Sequence, residues 1–244
     1  MLSEEKIQAI QAALRAIIKR NLEKVLAFNP FSRFERVVTK DQFAAMLGSD
    51  PAFSPFLLND PKYVTARIGG NLITSLHRKI GDLYQEIFAY LLSACLQATN
   101  ADLAFALEIE VDGKWQKRST DGLLRHVALP DRERVRLAAL LDLDKVGTAF
   151  EVRSCYQIGD SKRIQADRDM ALALQMQHMT PIMLIFCASS LISPVARLRT
   201  FWTIYEGQAA FVFTKTLTGF DLSAFLGQEQ ALIHPIMQRI FELM

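Results

Sequence analysis

The hydrophobic pattern changes period along this chain, and the change constrains the fold more than any single residue does. Ile7, Ile10, Leu14, Ile17 and Ile18 recur at the three-and-four spacing of one helix face. Ser3, Glu4 and Glu5 precede them, a capping hydroxyl followed by acids at the positive end of the helix dipole. A second stripe, Leu76, Ile80, Leu83, Ile87, Leu91 and Leu92, predicts a long helix over residues 72–97. Gly81 inside it costs about 1 kcal/mol relative to alanine. Between the two, Pro30, Pro51, Pro55 and Pro61 break residues 30–62 into short helices and loops. At residue 105 the period becomes two: Phe105, Leu107, Ile109 and Val111 alternate with Ala106, Glu108 and Glu110. That is a strand with one buried face. Asp112-Gly113 is a preferred two-residue hairpin turn, so Lys114 to Thr120 returns as its partner.

Further along, residues 131–145 predict a short surface helix and Thr148–Cys155 a strand, with Phe150 and Val152 on one face and Glu151 and Arg153 on the other. Ser161–His178 predicts a helix with Ile164, Ala171 and Leu174 inward. Ile182–Cys187, uniformly apolar after Pro181, predicts a strand buried on both faces. Ala210–Lys215 reads as a final strand and Ser223–Leu243 as a closing helix. The order predicts an α/β fold, a mixed sheet flanked by helices. It is read as one domain over 1–244: a helical N-terminal extension (1–70), a core (71–220) and a C-terminal helix (221–244).

Of the 244 residues, 50% are hydrophobic and 22% charged, which excludes a disordered chain. A formal charge of +2 permits nucleic-acid binding without arguing for it; a local patch would have to supply the contacts. Cys95, Cys155 and Cys187 are widely spaced, as expected of reduced intracellular thiols, and Cys155 reads as a small packing residue. The four histidines show no metal-ligand spacing, so a zinc site is not expected. MLSEEKIQAI is not a signal peptide and the longest apolar run, Ile182–Ala188, is too short for a bilayer, so no membrane partner and a cytoplasmic location are expected. Phosphate-loop, dinucleotide and nucleophile-elbow motifs are absent.

Two blocks carry chemistry. In Phe150–Gln157, Glu151 and Arg153 share one strand face; a carboxylate and a cation so held can bind a metal ion and stabilise a phosphoryl transition state. Taken alone, the same pattern is that of an ion pair facing solvent on an edge strand. Directly after it, Ser161, Gln165 and Arg168 lie along one helix face with Lys162 beside them, groups suited to phosphate. The interleaved Asp160, Asp167 and Asp169 equally describe a solvated charged face. Farther on, Pro194–Tyr205 interleaves Arg197 and Arg199 with aromatics, which suits either DNA or a partly buried element with snorkelling arginines.

The run EVRSCYQIGDSKRIQADRDMALAL followed by TPIMLIFCASS resembles the last catalytic strand, following helix and next strand of type II restriction endonucleases of the PD-(D/E)xK nuclease superfamily. The upstream segment SLHRKIGDLYQEIFAYLL resembles the helix that precedes the catalytic core in several of them, and by that match Glu86 faces the active site. The resemblance implies a PD-(D/E)xK-like sheet and a metal-binding acid on a strand before Glu151. Asp121 is the choice, with Asp142 and Asp144 competing and Glu108 and Glu110 as outside candidates. It implies Mg²⁺ (or Mn²⁺) held by Asp121 and Glu151, double-stranded DNA as substrate, a homodimer, and DNA contacts from Ser161, Lys162, Arg163, Gln165, Arg168, Arg197 and Arg199. Two features depart from the pattern. The interval from Asp121 to Glu151 requires an inserted helix. The motif lysine is Arg153, which cannot release a proton; Lys162 could take its place. A repair or structure-specific nuclease, or a non-catalytic DNA-binding or assembly protein on the same fold, are the alternative readings.

Overall fold

A computed structural model of the chain describes residues 2–32, 34–111, 113–156 and 161–243, the side chains of residues 111 and 161 excepted. Contacts group the chain into two compact units, Met1–Ile17 with Gly81–Glu229, and Ile18–Ile80 with Gln230–Met244. Helices α1 (Glu4–Leu26) and α3 (Pro61–Leu96) each contribute residues to both.

The smaller unit holds α2 (Lys40–Ser49), the first part of α3 and α10 (Gln230–Phe241). Thr39 caps α2, accepting the Gln42 N–H at 3.2 Å. Phe31, Val37, Phe43, Leu47, Val64 and Ile68 form its core, with the Phe34 and Phe43 rings 5.0 Å apart.

The larger unit is α/β. Its elements are α4 (Asn100–Leu103), β1 (Ala106–Val111), β2 (Lys114–Ser119), β3 (Gly122–Arg125), α5 (Asp131–Leu137), β4 (Gly147–Arg153), α6 (Ser161–Met176), β5 (Met179–Ile185), α7 (Ile192–Leu198), β6 (Thr203–Glu206), α8 (Gln208–Thr218) and α9 (Leu222–Gln228). β1 and β2 form the expected antiparallel hairpin, Ala106 opposite Ser119. Gly113 sits in its turn at φ +73°, the left-handed conformation a primed hairpin turn demands; Asp112 lies outside the described residues. The main sheet runs β3-β4-β5-β6, β3 antiparallel to β4 and the other neighbours parallel. β4 is therefore interior and not an edge, and every residue from Gly147 to Val152 is buried.

The alternation of β4 splits its side chains between two cores. Ala149 packs with Leu123, Met183 and Ile185 under the inner stripe of α6, Met170, Ala171 and Leu174. Phe150 points the other way, 5.1 Å from the Phe88 ring on α3 and 6.2 Å from Phe213 on α8. Glu151 and Arg153 follow Ala149 to the α6 side.

The C-terminal part corrects the sequence reading. Ala210–Lys215 is not a strand but part of α8. AFVFTK alternates well enough to suggest a strand, yet Ala210, Phe213, Thr214 and Leu217 are the buried positions, a helical stripe, and Gly219 at φ +76° ends the helix. The last strand is instead β6, which overlaps the end of the segment read as an arginine–aromatic docking stretch. The single helix expected over 223–243 is two, α9 and α10, parted at Glu229. The Glu229 carboxylate there binds Arg15 of α1 at 2.8 Å. Helix α3 begins at Pro61, eleven residues before the expected start at residue 72. Among the described residues no helix is long and apolar enough to cross a membrane.

The β3–β4 pairing makes a test of this arrangement. A Cβ on Gly147 would lie 2.8 Å from the Leu124 carbonyl oxygen, part of the paired backbone, whereas one on Gly122 would crowd the end of the Leu92 side chain, at 2.7 Å, with the Phe150 ring at an ordinary 4.0 Å. Gly147→Ala is expected to cost about 1–3 kcal/mol, the scale of overpacking, and Gly122→Ala less, because a leucine methyl can rotate away. Urea unfolding midpoints order the two variants; the reverse order contradicts the register.

Candidate active site

The site is assembled by three elements of the larger unit. Asp121 stands at the start of β3, its N–H donating to the Phe150 carbonyl at 2.9 Å. That bond turns the carboxylate along β4, where Oδ2 accepts the Val152 N–H at 2.8 Å. Gln85 of α3 donates to the same oxygen at 3.2 Å and to the Val152 carbonyl at 3.3 Å. Glu151 and Arg153 project from β4 towards α6, and the Arg153 guanidinium binds the Glu151 carboxylate directly. Its Nη2 also lies 3.2 Å from Asp167 Oδ1 on α6, and Nη1 lies 3.9 Å from Asp121 Oδ2. Asp167 is itself anchored: the Tyr156 hydroxyl donates to its carboxylate and the Trp202 indole N–H to its carbonyl, at 2.8 Å.

Three carboxylates thus face one guanidinium in a largely dry place. Glu151 is 7% exposed and Asp167 8%. Burial pushes the Glu151 carboxyl up to about 8; the Asp121 and Asp167 charges add to that, against Arg153 and Arg163. Burial also raises Asp121, opposed by the Val152 N–H, Arg153 and Gln85. Burial alone would lower Arg153, but Glu151, Asp167, Tyr156 and Asp121 together raise it, so it stays charged. The same burial and the Asp167 charge raise Tyr156, keeping its hydroxyl a donor. Arg153 Nε is buried without a hydrogen-bond partner among the described residues.

Of the residues singled out from sequence, the fold brings Asp121, Glu151 and Arg153 together. The helix needed between the first two is α5. Asp142 and Asp144 are exposed and precede β4, at the end of that strand away from Glu151, while Glu108 and Glu110 are exposed on the hairpin. On α3 it is Gln85 whose contact with Asp121 is seen; Glu86, one residue on, is half-buried. Lys162, Arg163, Gln165 and Arg168 are exposed on α6, and the charge of Arg163 reaches Glu151. Arg168 pairs with Asp169 at 3.0 Å and Arg199 with Glu206 at 3.4 Å, while Arg197 is exposed on α7. The Ser161 side chain lies outside the described residues.

Sequence reasoning missed Asp167, Tyr156 and Gln85. Asp167 was legible in part: it stands three residues after Ile164 and four before Ala171, on the inward stripe of α6. A charged residue on that stripe signals a buried partner. Neither Tyr156 nor Gln85 carries such a signal.

The candidate donors are the Asp121 and Glu151 carboxylates, both hard oxygen groups, and the cluster holds more negative than positive charge; the Val152 carbonyl already accepts from Gln85 and Arg153. That donor chemistry fits Mg²⁺ or Mn²⁺ rather than a soft cation. Among the described residues no group of three or more His, Cys, Asp or Glu could hold a metal ion. A hard-ion site needs fewer, since Mg²⁺ commonly takes one or two carboxylates, with water and substrate oxygens completing its shell.

Two measurements test these electrostatics. Arg153→Met removes the cation that pairs with the buried Glu151 and Asp167 and the half-buried Asp121, and is expected to cost about 3–5 kcal/mol in urea unfolding; a loss below 1 kcal/mol means that the acids do not depend on it. The Glu151 carboxyl is higher in the folded chain than its ordinary value near 4.5. Its contribution to stability is therefore complete below that value and lost as pH rises towards about 8. Glu151→Gln is expected to flatten the fall in melting temperature across that window; an unchanged slope means Glu151 is ionised throughout.

No known protein family, curated protein sequence or solved structure matches the chain.

Proposed function

We propose that this chain is a divalent-cation-dependent DNA endonuclease of the PD-(D/E)xK type, cutting double-stranded DNA at a specific sequence as type II restriction enzymes do. The observation that carries the reading is the meeting of Asp121 and Glu151. Residues far apart in sequence, and chosen for their resemblance to that motif, converge through the β3–β4 pair and share the Arg153 guanidinium. The strand–helix–strand order β4-α6-β5 supports it further.

Asp121 and Glu151 would hold the cation, which would activate water and take up charge developing on the phosphate. Gln85 and the Val152 N–H fix the Asp121 carboxylate, so it does not reorganise during the reaction. Arg153 supplies positive charge beside the acids but, as a guanidinium, does not accept or release a proton. Lys162, Arg163, Gln165 and Arg168 present α6 to the phosphate backbone, with Ser161, Arg197 and Arg199 as further contacts. A homodimer would match a palindromic site.

A second reading has its own observation. The Arg153 side chain is engaged by Glu151, Asp167 and Asp121 at once, the arrangement of a structural clamp. On that reading the chain keeps the fold and binds DNA or a protein assembly without cutting.

Plasmid digestion separates the two. With Mg²⁺ or Mn²⁺ discrete fragments are expected, and none with EDTA; binding without cleavage under all conditions selects the second reading. Asp121→Asn keeps an acceptor oxygen for the Val152 N–H and is expected to abolish cleavage while the fold and DNA affinity persist. Arg153→Lys is expected to retain cleavage. Single-turnover rates under saturating enzyme read both variants apart from binding defects; wild-type rates in Asp121→Asn sink the two-acid site. Each of Lys162→Ala, Arg163→Ala and Arg168→Ala is expected to reduce the slope of log affinity against log salt by about one. Arg168 should give the smallest change, because Asp169 already neutralises it. Unchanged slopes for all three place α6 away from the DNA.

A further inference from the structure

We propose that Cys155 and Cys187 form a redox-modification site, an adjacent dithiol that closes into an intramolecular disulfide when the reduced protein meets a hydroperoxide. The proposal concerns a site separate from the nuclease reading and does not depend on it.

The two cysteines lie 32 positions apart in sequence and meet because β4 and β5 remain joined beyond their last paired residues, Arg153 and Ile185. The Phe186 N–H donates to the Arg153 carbonyl at 3.0 Å, and the Cys187 N–H to the Ser154 carbonyl at 2.9 Å. The next residue on β4's side is Cys155. Both thiols rest on one hydroxyl: Ser190 Oγ is 3.7 Å from Cys155 Sγ and 3.4 Å from Cys187 Sγ. That hydroxyl is fixed by the Tyr156 N–H at 3.1 Å. Neighbouring strands run about 5 Å apart, inside the roughly 4.4–6.8 Å separation of Cα atoms that a disulfide requires. Both residues are partly exposed, so an oxidant can reach them.

The pair is asymmetric, as an efficient dithiol must be. Burial opposes ionisation of Cys187, but hydrogen bonds from Cys155, Ser190 and Ser189 outweigh it and bring the thiol below its ordinary value. Burial and the neighbouring Cys187 push Cys155 up. Ser190 Oγ also lies nearer to Cys187 Sγ than to Cys155 Sγ, 3.4 against 3.7 Å, and on that geometry Cys187 is the attacking sulfur and Cys155 the resolving one. The Cys187 thiolate attacks one peroxide oxygen, the O–O bond breaks, and the released hydroxide (or alkoxide) takes a proton; Cys187 becomes a sulfenic acid. The Cys155 sulfur then attacks the Cys187 sulfur, the S–O bond breaks, and the oxygen leaves as water with the Cys155 proton. Two thiols lose two electrons and two protons, and one hydroperoxide takes up both. A soft metal ion is the poorer occupant: two thiolates are half of a tetrahedral set, and among the described residues no third ligand completes a metal-binding group. Cys95, on α3, supplies an internal control, because burial pushes its thiol up.

Peptide mapping of the full chain tests this. Reduced protein is treated with one equivalent of hydrogen peroxide, alkylated, and digested with trypsin without reduction; Lys162, Arg163 and Arg168 give cleavage points between the two cysteines. The expected product is a cross-linked pair of peptides holding Cys155 and Cys187, reversed by dithiothreitol, with Cys95 alkylated throughout. Before oxidation, Cys187 should alkylate at least about tenfold faster than Cys95. Cys155→Ser should stop at a sulfenic acid on Cys187 that dimedone labels, and Cys187→Ser should leave Cys155 unlabelled. Because either variant could misfold, phenylarsine oxide, which needs two adjacent thiols, is titrated into the reduced wild type; one equivalent should bind and protect both cysteines. Separate alkylation of Cys155 and Cys187 after peroxide, or a cross-link only between chains, overturns the proposal. So does failure of the arsenical to protect the pair.

Discussion

A guanidinium placed among three acids is the constraint around which the larger unit is organised. Arg153 cannot leave β4, whose neighbours on both sides and cores above and below bury it. Its charge must be met there, and the acids come from three different elements: the start of β3, β4 itself and α6. Desolvation of such a group is expensive, and its attraction to partners compensates only when the geometry and remaining hydrogen bonds are good. The surrounding residues supply them. Tyr156 and Trp202 hold Asp167, and Gln85 and the Val152 N–H hold Asp121. The helix and both strands are thereby fixed by polar contacts as well as by the apolar stripes beneath them.

The acids are held closer, and drier, than their charges favour, which is why burial raises both Asp121 and Glu151. Such excess negative charge in a hydrogen-bonded frame is the usual physical mark of a functional site, because stability alone would favour replacing the cluster by apolar side chains. The proposed endonuclease uses the excess to attract a cation; the clamp reading leaves it as the cost of a specific packing arrangement.

Much of the fold was legible, for identifiable reasons. The long stripes of α1 and α3, the period-two hairpin of β1 and β2, and the apolar β5 each repeat one pattern over enough residues to be unambiguous. What failed was short or two-faced. β3 and β6 have four residues each, too few to show a period. In α8 the run AFVFTK fits both periods, and burial by the Phe88–Phe150–Phe213 aromatic cluster decided for the helix. At the site, the strand alternation of Glu151 and Arg153 and the position of Asp121 before an apolar run were readable. The partnership of Arg153 with Asp167 and Tyr156 was not, because it depends on how α6 lies across the sheet, which no local pattern encodes. The meeting of Cys155 and Cys187 depends likewise on the register of two parallel strands.

The chain has two tryptophans, and the fold places them in opposite surroundings. Trp115 is 71% exposed on the hairpin, whereas Trp202 is 2% exposed and its indole is bonded to the Asp167 carbonyl. Indole emission follows the polarity around the ring, so the exposed Trp115 emits to the red of the buried Trp202. With Trp115 replaced by phenylalanine, the remaining band belongs to a ring tied to the residue that clamps Arg153. The molecule thus carries its own optical probe of the acidic cluster, read in solution without any label.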